Sequence, residues 1–246
     1  MTRTAGKRGL RRSTPHPELR LKSNLTAPIP TAPPTGDVTS GITAFGMDGN
    51  DQHSDCGAAA LDHYMVTKAG LSALIGQLGG VGPLALYFEY GTAMGEPGAQ
   101  PDQGVDNATW LKFLYDKKII EGFVQLDPKD LNEVRYMMNE TRGCLVGVEL
   151  TADAEQLFGA HQEWTVADGE TPDQNEGHDI LLVKYGPEGD TFVTWGALQL
   201  AGVNWDADCI MDCWIFGTKA DADRLGIGSE PLIATIKSMG GTVAGA

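Results

Sequence analysis

The residues best suited to chemistry in this chain are Cys56 and His178. A polar, turn-forming run, Gly49-Asn50-Asp51-Gln52-His53-Ser54-Asp55, delivers Cys56 to the start of an apolar, alanine-rich stretch (Ala58, Ala59, Ala60, Leu61). Asp51, Ser54 and Asp55 are N-cap types, so a helix is expected from about Cys56 to Ala69. A thiol at a helix N-terminus meets the positive end of the helix dipole and unpaired backbone N–H groups, both of which favour thiolate. A thiolate so placed attacks carbonyl carbon when a histidine arrives from elsewhere in the fold. Taken alone, Cys56 reads equally as a small buried hydrophobe. His178 follows Gly177 and opens the apolar run Ile180-Leu181-Leu182-Val183, where an isolated histidine is a base or a hydrogen-bonded core residue.

The elements that must position this pair follow from periodicity. Beyond the Cys56 helix, helices are expected over 83–94 (Leu84, Leu86, Tyr87 and Tyr90 inward, Pro83 at the start) and 107–118 (Trp110, Leu111 and Leu114 inward). A fourth is expected from Asp127-Pro128 through Met138, and short ones over 153–158, 206–212 and 219–225. Strands are expected over 119–126, 144–150, 179–185, 191–195 and 213–216, with Gly186-Pro187-Glu188-Gly189 as a hairpin turn. Helices dominate the first half and an antiparallel sheet the second, an α+β pattern.

The chain has 246 residues and a net charge of −15, distributed unevenly. Residues 1–22 carry Arg3, Lys7, Arg8, Arg11, Arg12, Arg20 and Lys22 against Glu18, a balance of +6, so the remainder carries −21. Residues 23–44 hold Pro28, Pro30, Pro33 and Pro34 among small polar residues, the composition of an extended connector. The division expected is therefore a basic, proline-rich arm (1–44), a globular domain (45–230) and a loose tail (231–246). The acidic body does not suit nucleic acid, leaving only the arm for such contact. No apolar run matches a bilayer, and no membrane partner is expected. Cys56, Cys144, Cys209 and Cys213 are few and irregularly spaced, as in a reduced cytoplasmic product. Neither a phosphate-binding glycine loop nor a metal-ligand spacing occurs, so no cofactor or metal is expected.

Three blocks together, Gly49-Asn50-Asp51…Asp55-Cys56, Gly177-His178 and Val193-Thr194-Trp195-Gly196-Ala197-Leu198, resemble the papain-like cysteine peptidase superfamily. Within it they are most similar to papain-fold proteins of actinobacteria and their phages. The likeness spans residues 45–226 and implies a papain-like fold, a helical lobe followed by an antiparallel sheet lobe. It implies Cys56 as nucleophile, His178 as general base and Asn50, or Gln52 nearby, as side-chain donor to the oxyanion. Such a donor is worth about 3–4 kcal/mol, though Gly49-Asn50 is also an ordinary turn pair. The family orients its histidine with Asn or Asp where this chain has Val193, and alternation along the strand is expected to turn Thr194 and Asp179 away from the ring.

Two functions follow from that resemblance. One is a phage virion component, assembled in the host cytoplasm and fastened to a head or tail shell through residues 1–44, with a weakened Cys/His site. The other is a peptidase or amidase that acts on a peptide substrate through Cys56 and His178.

Overall fold

A computed structural model describes residues 7–12, 16–25, 27–67, 82–173 and 177–217. The chain begins with a two-residue strand, β1 (Leu10–Arg11), a 3-10 turn (Pro17–Leu19), a single helical turn α1 (Leu21–Asn24) and β2 (Gly36–Asp37). Then come the helices α2 (Cys56–Thr67) and α3 (Pro83–Ala93), strand β3 (Val105–Asp106) and helix α4 (Asn107–Asp116). Strand β4 (Gly122–Leu126), helix α5 (Leu131–Thr141), strand β5 (Cys144–Glu149) and helix α6 (Ala154–Gly159) follow. The last described part is β6 (Gly177–Gly186), β7 (Gly189–Thr194), β8 (Ala197–Ala201), α7 (Trp205–Cys209) and β9 (Ile210–Gly217). The expected helix over 219–225 and the tail at 231–246 lie outside the described residues.

One antiparallel sheet runs in the order β4-β9-β5-β6-β7-β8. Strand β6 is its spine, with Leu181 paired to Leu145 on one side and Val193 on the other. Strand β2 continues the β5 side of that spine, pairing Asp37 with Lys184. Burial explains the near-continuous apolar runs: every residue of β5 is buried, and so is β6 from Gly177 to Val183. Helix α2 packs on this sheet through small residues. A Cβ on Gly57 would come within 2.6 Å of the Val105 side chain and 3.0 Å of the Asp179 carboxylate.

Local chemistry sets the helix starts. Asp106 caps α4 by accepting from Thr109 N–H at 2.9 Å, and Asp130 caps α5 by accepting from Glu133 N–H at 3.1 Å. The second cap corrects the expected start at Asp127-Pro128, which is a turn; the helix waits for Asp130. Trp195 (φ 44°) and Gly196 (φ 71°) form a reversal that folds β8 back on β7, so the Val193–Leu198 block is two strands.

The described residues between 7 and 44 pack against the rest of the domain. Leu19 and Leu21 are fully buried in the core, Arg20 bridges to Gln125, and β1 pairs in parallel with β3. Apolar residues inside the basic segment, overlooked beside its charge, are what fasten it down.

Candidate active site

The site lies where the start of α2 meets the start of β6. Asp55 is buried and its carbonyl begins α2, accepting from Ala58 and Ala59 N–H at 2.8 and 3.0 Å. Cys56 occupies the first helical position, as expected, and is buried. Its sulfur is 3.9 Å from Asp179 Oδ2, and it shares no hydrogen bond with His178 among the described residues. Alternation along β6 places neighbours 178 and 179 on opposite faces, and Asp179 is the one turned towards Cys56.

Asp179 belongs to a buried polar group that sequence reasoning missed. Asn107, the first residue of α4, donates from Nδ2 to Asp179 Oδ1 at 2.7 Å and to Asp212 Oδ1 at 3.2 Å. Burial, with the neighbouring Asp212 acid second, holds the Asp179 carboxyl well above its usual range. Nothing local in the sequence marks this trio, since its members meet only when α4, β6 and β9 pack.

His178 lies flat against Trp195, with ring centroids 4.7 Å apart and planes 27° from parallel. Its Nε2 is 2.8 Å from Thr194 Oγ1, while Nδ1 is buried with no hydrogen-bond partner among the described residues. This corrects the expectation that Thr194 turns away. The register pairs Val193 with Leu181, so Val193 shares the Leu181 face and Thr194 falls on the face of His178 and Ile180. The side chain that holds the ring is thus one residue beyond Val193.

Asn50 is buried, in a turn closed by its N–H to the Met47 carbonyl. Its Nδ2 donates to the carbonyl of Lys7 at 3.0 Å and of His53 at 3.2 Å. Gln52, the other amide expected here, is exposed, and its side chain reaches Asp51 instead. The turn that buries Asn50 throws Gln52 outward.

The cleft between these groups is filled by the protein's own residues 7–12. Lys7 N–H donates to the Asn50 carbonyl, and the Lys7 carbonyl also accepts from Trp195 Nε1 at 3.4 Å. The Gly9 carbonyl accepts from Val105 N–H at 2.7 Å. The close fit needs glycine on both sides. A Cβ on Gly9 would lie 1.9 Å from the Ser54 carbonyl oxygen, and one on Gly104 (φ +77°) would lie 1.7 Å from the Gly9 oxygen. A Cβ on Gly177 would lie 2.4 Å from the Leu10 oxygen.

Coverage decides the electrostatics. Burial, then the Asp179 acid, pushes the Cys56 thiol well above its ordinary value, although the backbone amides of Asp179 and Gly9 pull the other way. Burial, then the Arg8 guanidinium, lowers the His178 imidazole to about 3. Thiol and imidazole are therefore both neutral in the covered site. The expected thiolate is absent because burial outweighs the helix terminus.

The fold is that of a papain-like cysteine protease. Xylellain, a cysteine protease from Xylella fastidiosa, superposes with a TM-score of 0.60 over 89% of this chain and 98% of that one, at 12% identity. No family model matches the chain, and no characterised protein matches it by sequence. The α+β papain-like architecture expected from the three sequence blocks is thus the architecture observed, a helical part followed by an antiparallel sheet.

Proposed function

We propose that this protein is a cysteine hydrolase of peptide bonds, with Cys56 as nucleophile, His178 as base and Asn50 as carbonyl donor, kept latent by residues 7–12. The observation that carries the proposal is the Lys7 carbonyl, received by side-chain donors Asn50 and Trp195 beside the Cys56 helix. A cleft that holds a peptide main chain in this way is a peptide-binding cleft.

The covered state is inert because burial, with the Asp179 acid second, keeps the Cys56 thiol protonated. When the segment leaves, water relieves the burial that keeps the thiol protonated, and the start of α2 then supports thiolate. The thiol proton passes to His178 Nδ1. With Nε2 held by Thr194 the ring lies on the face of β6 opposite Asp179, so this step requires the start of β6 to turn the ring towards the sulfur when the segment leaves. The sulfur adds to a substrate carbonyl, and Asn50 Nδ2 steadies the oxyanion. The imidazolium returns the proton to the leaving amine, and water then hydrolyses the thioester.

The test is the full chain with Gly9→Val, whose side chain cannot pass the Ser54 carbonyl. It should hydrolyse a quenched fluorescent peptide at least tenfold faster than the parent, and Cys56→Ala should abolish that activity. A folded Gly9→Val chain whose Cys56 alkylates readily, yet which cleaves nothing, would sink the proposal.

The other reading of the basic arm is anchorage to a phage head or tail shell, which rests on the sequence resemblance alone. That role needs the cations of the arm turned outward. Lys7, Arg8, Arg11 and Arg12 instead face acids of their own domain, which supports the hydrolase reading.

A further inference from the structure

We infer that the cleft is built for an extended cationic peptide with glycine at its narrowest point, a class whose resident member is Lys7-Arg8-Gly9-Leu10-Arg11-Arg12. The inference names the substrate class of the proposed hydrolase and rests on that reading for turnover, but not for binding.

Each cation of the segment meets its own acid. Lys7 Nζ is 3.7 Å from Asp102, Arg8 is 3.1 Å from Glu155, Arg11 is 3.3 Å from Glu96, and Arg12 pairs with Glu149. Asp102 and Glu96 come from the loop after α3, whereas Glu149 and Glu155 come from the end of β5 and from α6. The acids thus arrive from two separate stretches of the chain.

Glu96 gives independent support for a cationic occupant. Its side chain is only 6% exposed, and neither carboxylate oxygen has a hydrogen bond among the described residues. A carboxylate taken out of water without hydrogen bonds is costly unless a cation faces it, and Arg11 is that cation. Arg11 is held further by donating to Tyr90 Oη at 3.2 Å.

The middle of the cleft selects by shape. Gly9 passes a constriction formed by Ser54 and Gly104, and the next side chain, Leu10, is buried over Gly147. The order that fits is therefore two cations, a glycine, an aliphatic residue and two more cations. The net negative charge of the body draws such a peptide in from solution.

The test uses a fluorescein-labelled peptide with the sequence of residues 5–13, added to the full chain carrying Gly9→Val and Cys56→Ala, with binding read by anisotropy. The peptide should bind and weaken as salt rises. Substituting E96Q, E149Q and E155Q together should weaken it about tenfold. A peptide with its four cations replaced by glutamine, or with the glycine that matches Gly9 replaced by valine, should bind at least tenfold worse. Equal affinity for the neutral peptide, or indifference to the three substitutions, would overturn the inference. If Gly9→Val does not fold, the same three substitutions in the otherwise native chain should speed Cys56 alkylation several-fold, and an unchanged rate would overturn it. Binding of the cationic peptide without turnover by the Gly9→Val chain counts against the hydrolase alone. Turnover without charge preference counts against this inference alone.

Discussion

Asp179 Oδ2 lies 3.9 Å from the Cys56 sulfur, whereas no hydrogen bond joins that sulfur to His178 among the described residues. An acid in that place opposes formation of thiolate. Cys56→Asp179 contact is therefore the point at which reactivity is set, once the covering segment has gone.

Replacing Asp179 with Asn removes the acid and keeps an acceptor for Asn107. In the chain opened by Gly9→Val, Asp179→Asn should lower the pH midpoint of Cys56 alkylation. Each unit by which the midpoint falls multiplies the thiolate fraction at neutral pH about tenfold. A midpoint that rises, or stays put, would mean that Asp179 does not control the thiol.

Thr194 and Val193 separate the observed site from the one implied by family resemblance. Thr194→Val should leave the fold intact and cut kcat about tenfold or more, because the imidazole loses the hydroxyl that fixes its Nε2. Val193→Asn restores the family's residue type, yet on the Leu181 face it should only bury an amide, costing about 1–3 kcal/mol of stability with no gain in rate. Thermal melts and steady-state kinetics on both variants decide the matter. A faster Val193→Asn enzyme would refute the register argument.

Asn50→Ala should move two readouts in opposite directions. Losing the donor to the Lys7 carbonyl loosens the covering segment, so Cys56 in the otherwise native chain should alkylate faster. The same loss in the opened chain should reduce peptide hydrolysis by about 10²–10³. A purely structural asparagine would not produce that split.

Opening the cleft from its other wall should mimic Gly9→Val. Gly104→Ala places a methyl where the Gly9 carbonyl now sits, so alkylation of Cys56 should rise while Cys144, Cys209 and Cys213 stay slow. Peptide mapping after a timed iodoacetamide pulse reads all four thiols at once.

Stability should fall as pH rises above neutrality. Burial raises Asp48 to about 6, Asp55 to about 7 and Asp206, beside Asp190, to about 9. An acid raised in the folded state gives stability that is full below its unfolded value and is lost as pH climbs through the folded one. His63, lowered to about 4 by burial, and His178, lowered to about 3, act oppositely: their contribution is full above 6.5 and is lost as pH falls. Above pH 6.5 only the acids remain in play, so Tm should decline between pH 6.5 and 9. Asp206→Asn should flatten the upper part of that decline. A Tm that climbs over this range would contradict the burial of these acids.

The sequence made the fold class, the Cys56 helix and the β6–β7 hairpin readable, because each is written locally in periodicity, caps and turn residues. The turn at Asn50 was readable for the same reason, as a Gly-Asn pair before the helix. Thr194 is misread from the sequence because the family resemblance puts the orienting position at Val193 and alternation then turns Thr194 away, whereas side-chain direction relative to His178 follows from the pairing of Leu181 with Val193. Asp179, Asn107 and Asp212 were invisible because they come together only through tertiary packing. The covering segment was hidden by its composition. A cationic run reads as solvated until the acids it pairs with, Glu96, Glu149, Glu155 and Asp102, are seen to surround one groove.

Leu19 and Leu21, locked into the core a few residues after Arg12, make the plug a tethered one. A short tether holds its ligand at an effective concentration in the millimolar range, whatever the concentration of the protein itself. Dilution will not switch such an enzyme on, and a free rival peptide must outmatch that local concentration to enter. Severing the tether by proteolysis changes the regime. The plug then becomes an ordinary dissociable inhibitor, and one cut suffices to convert a permanently occupied groove into one that empties on dilution.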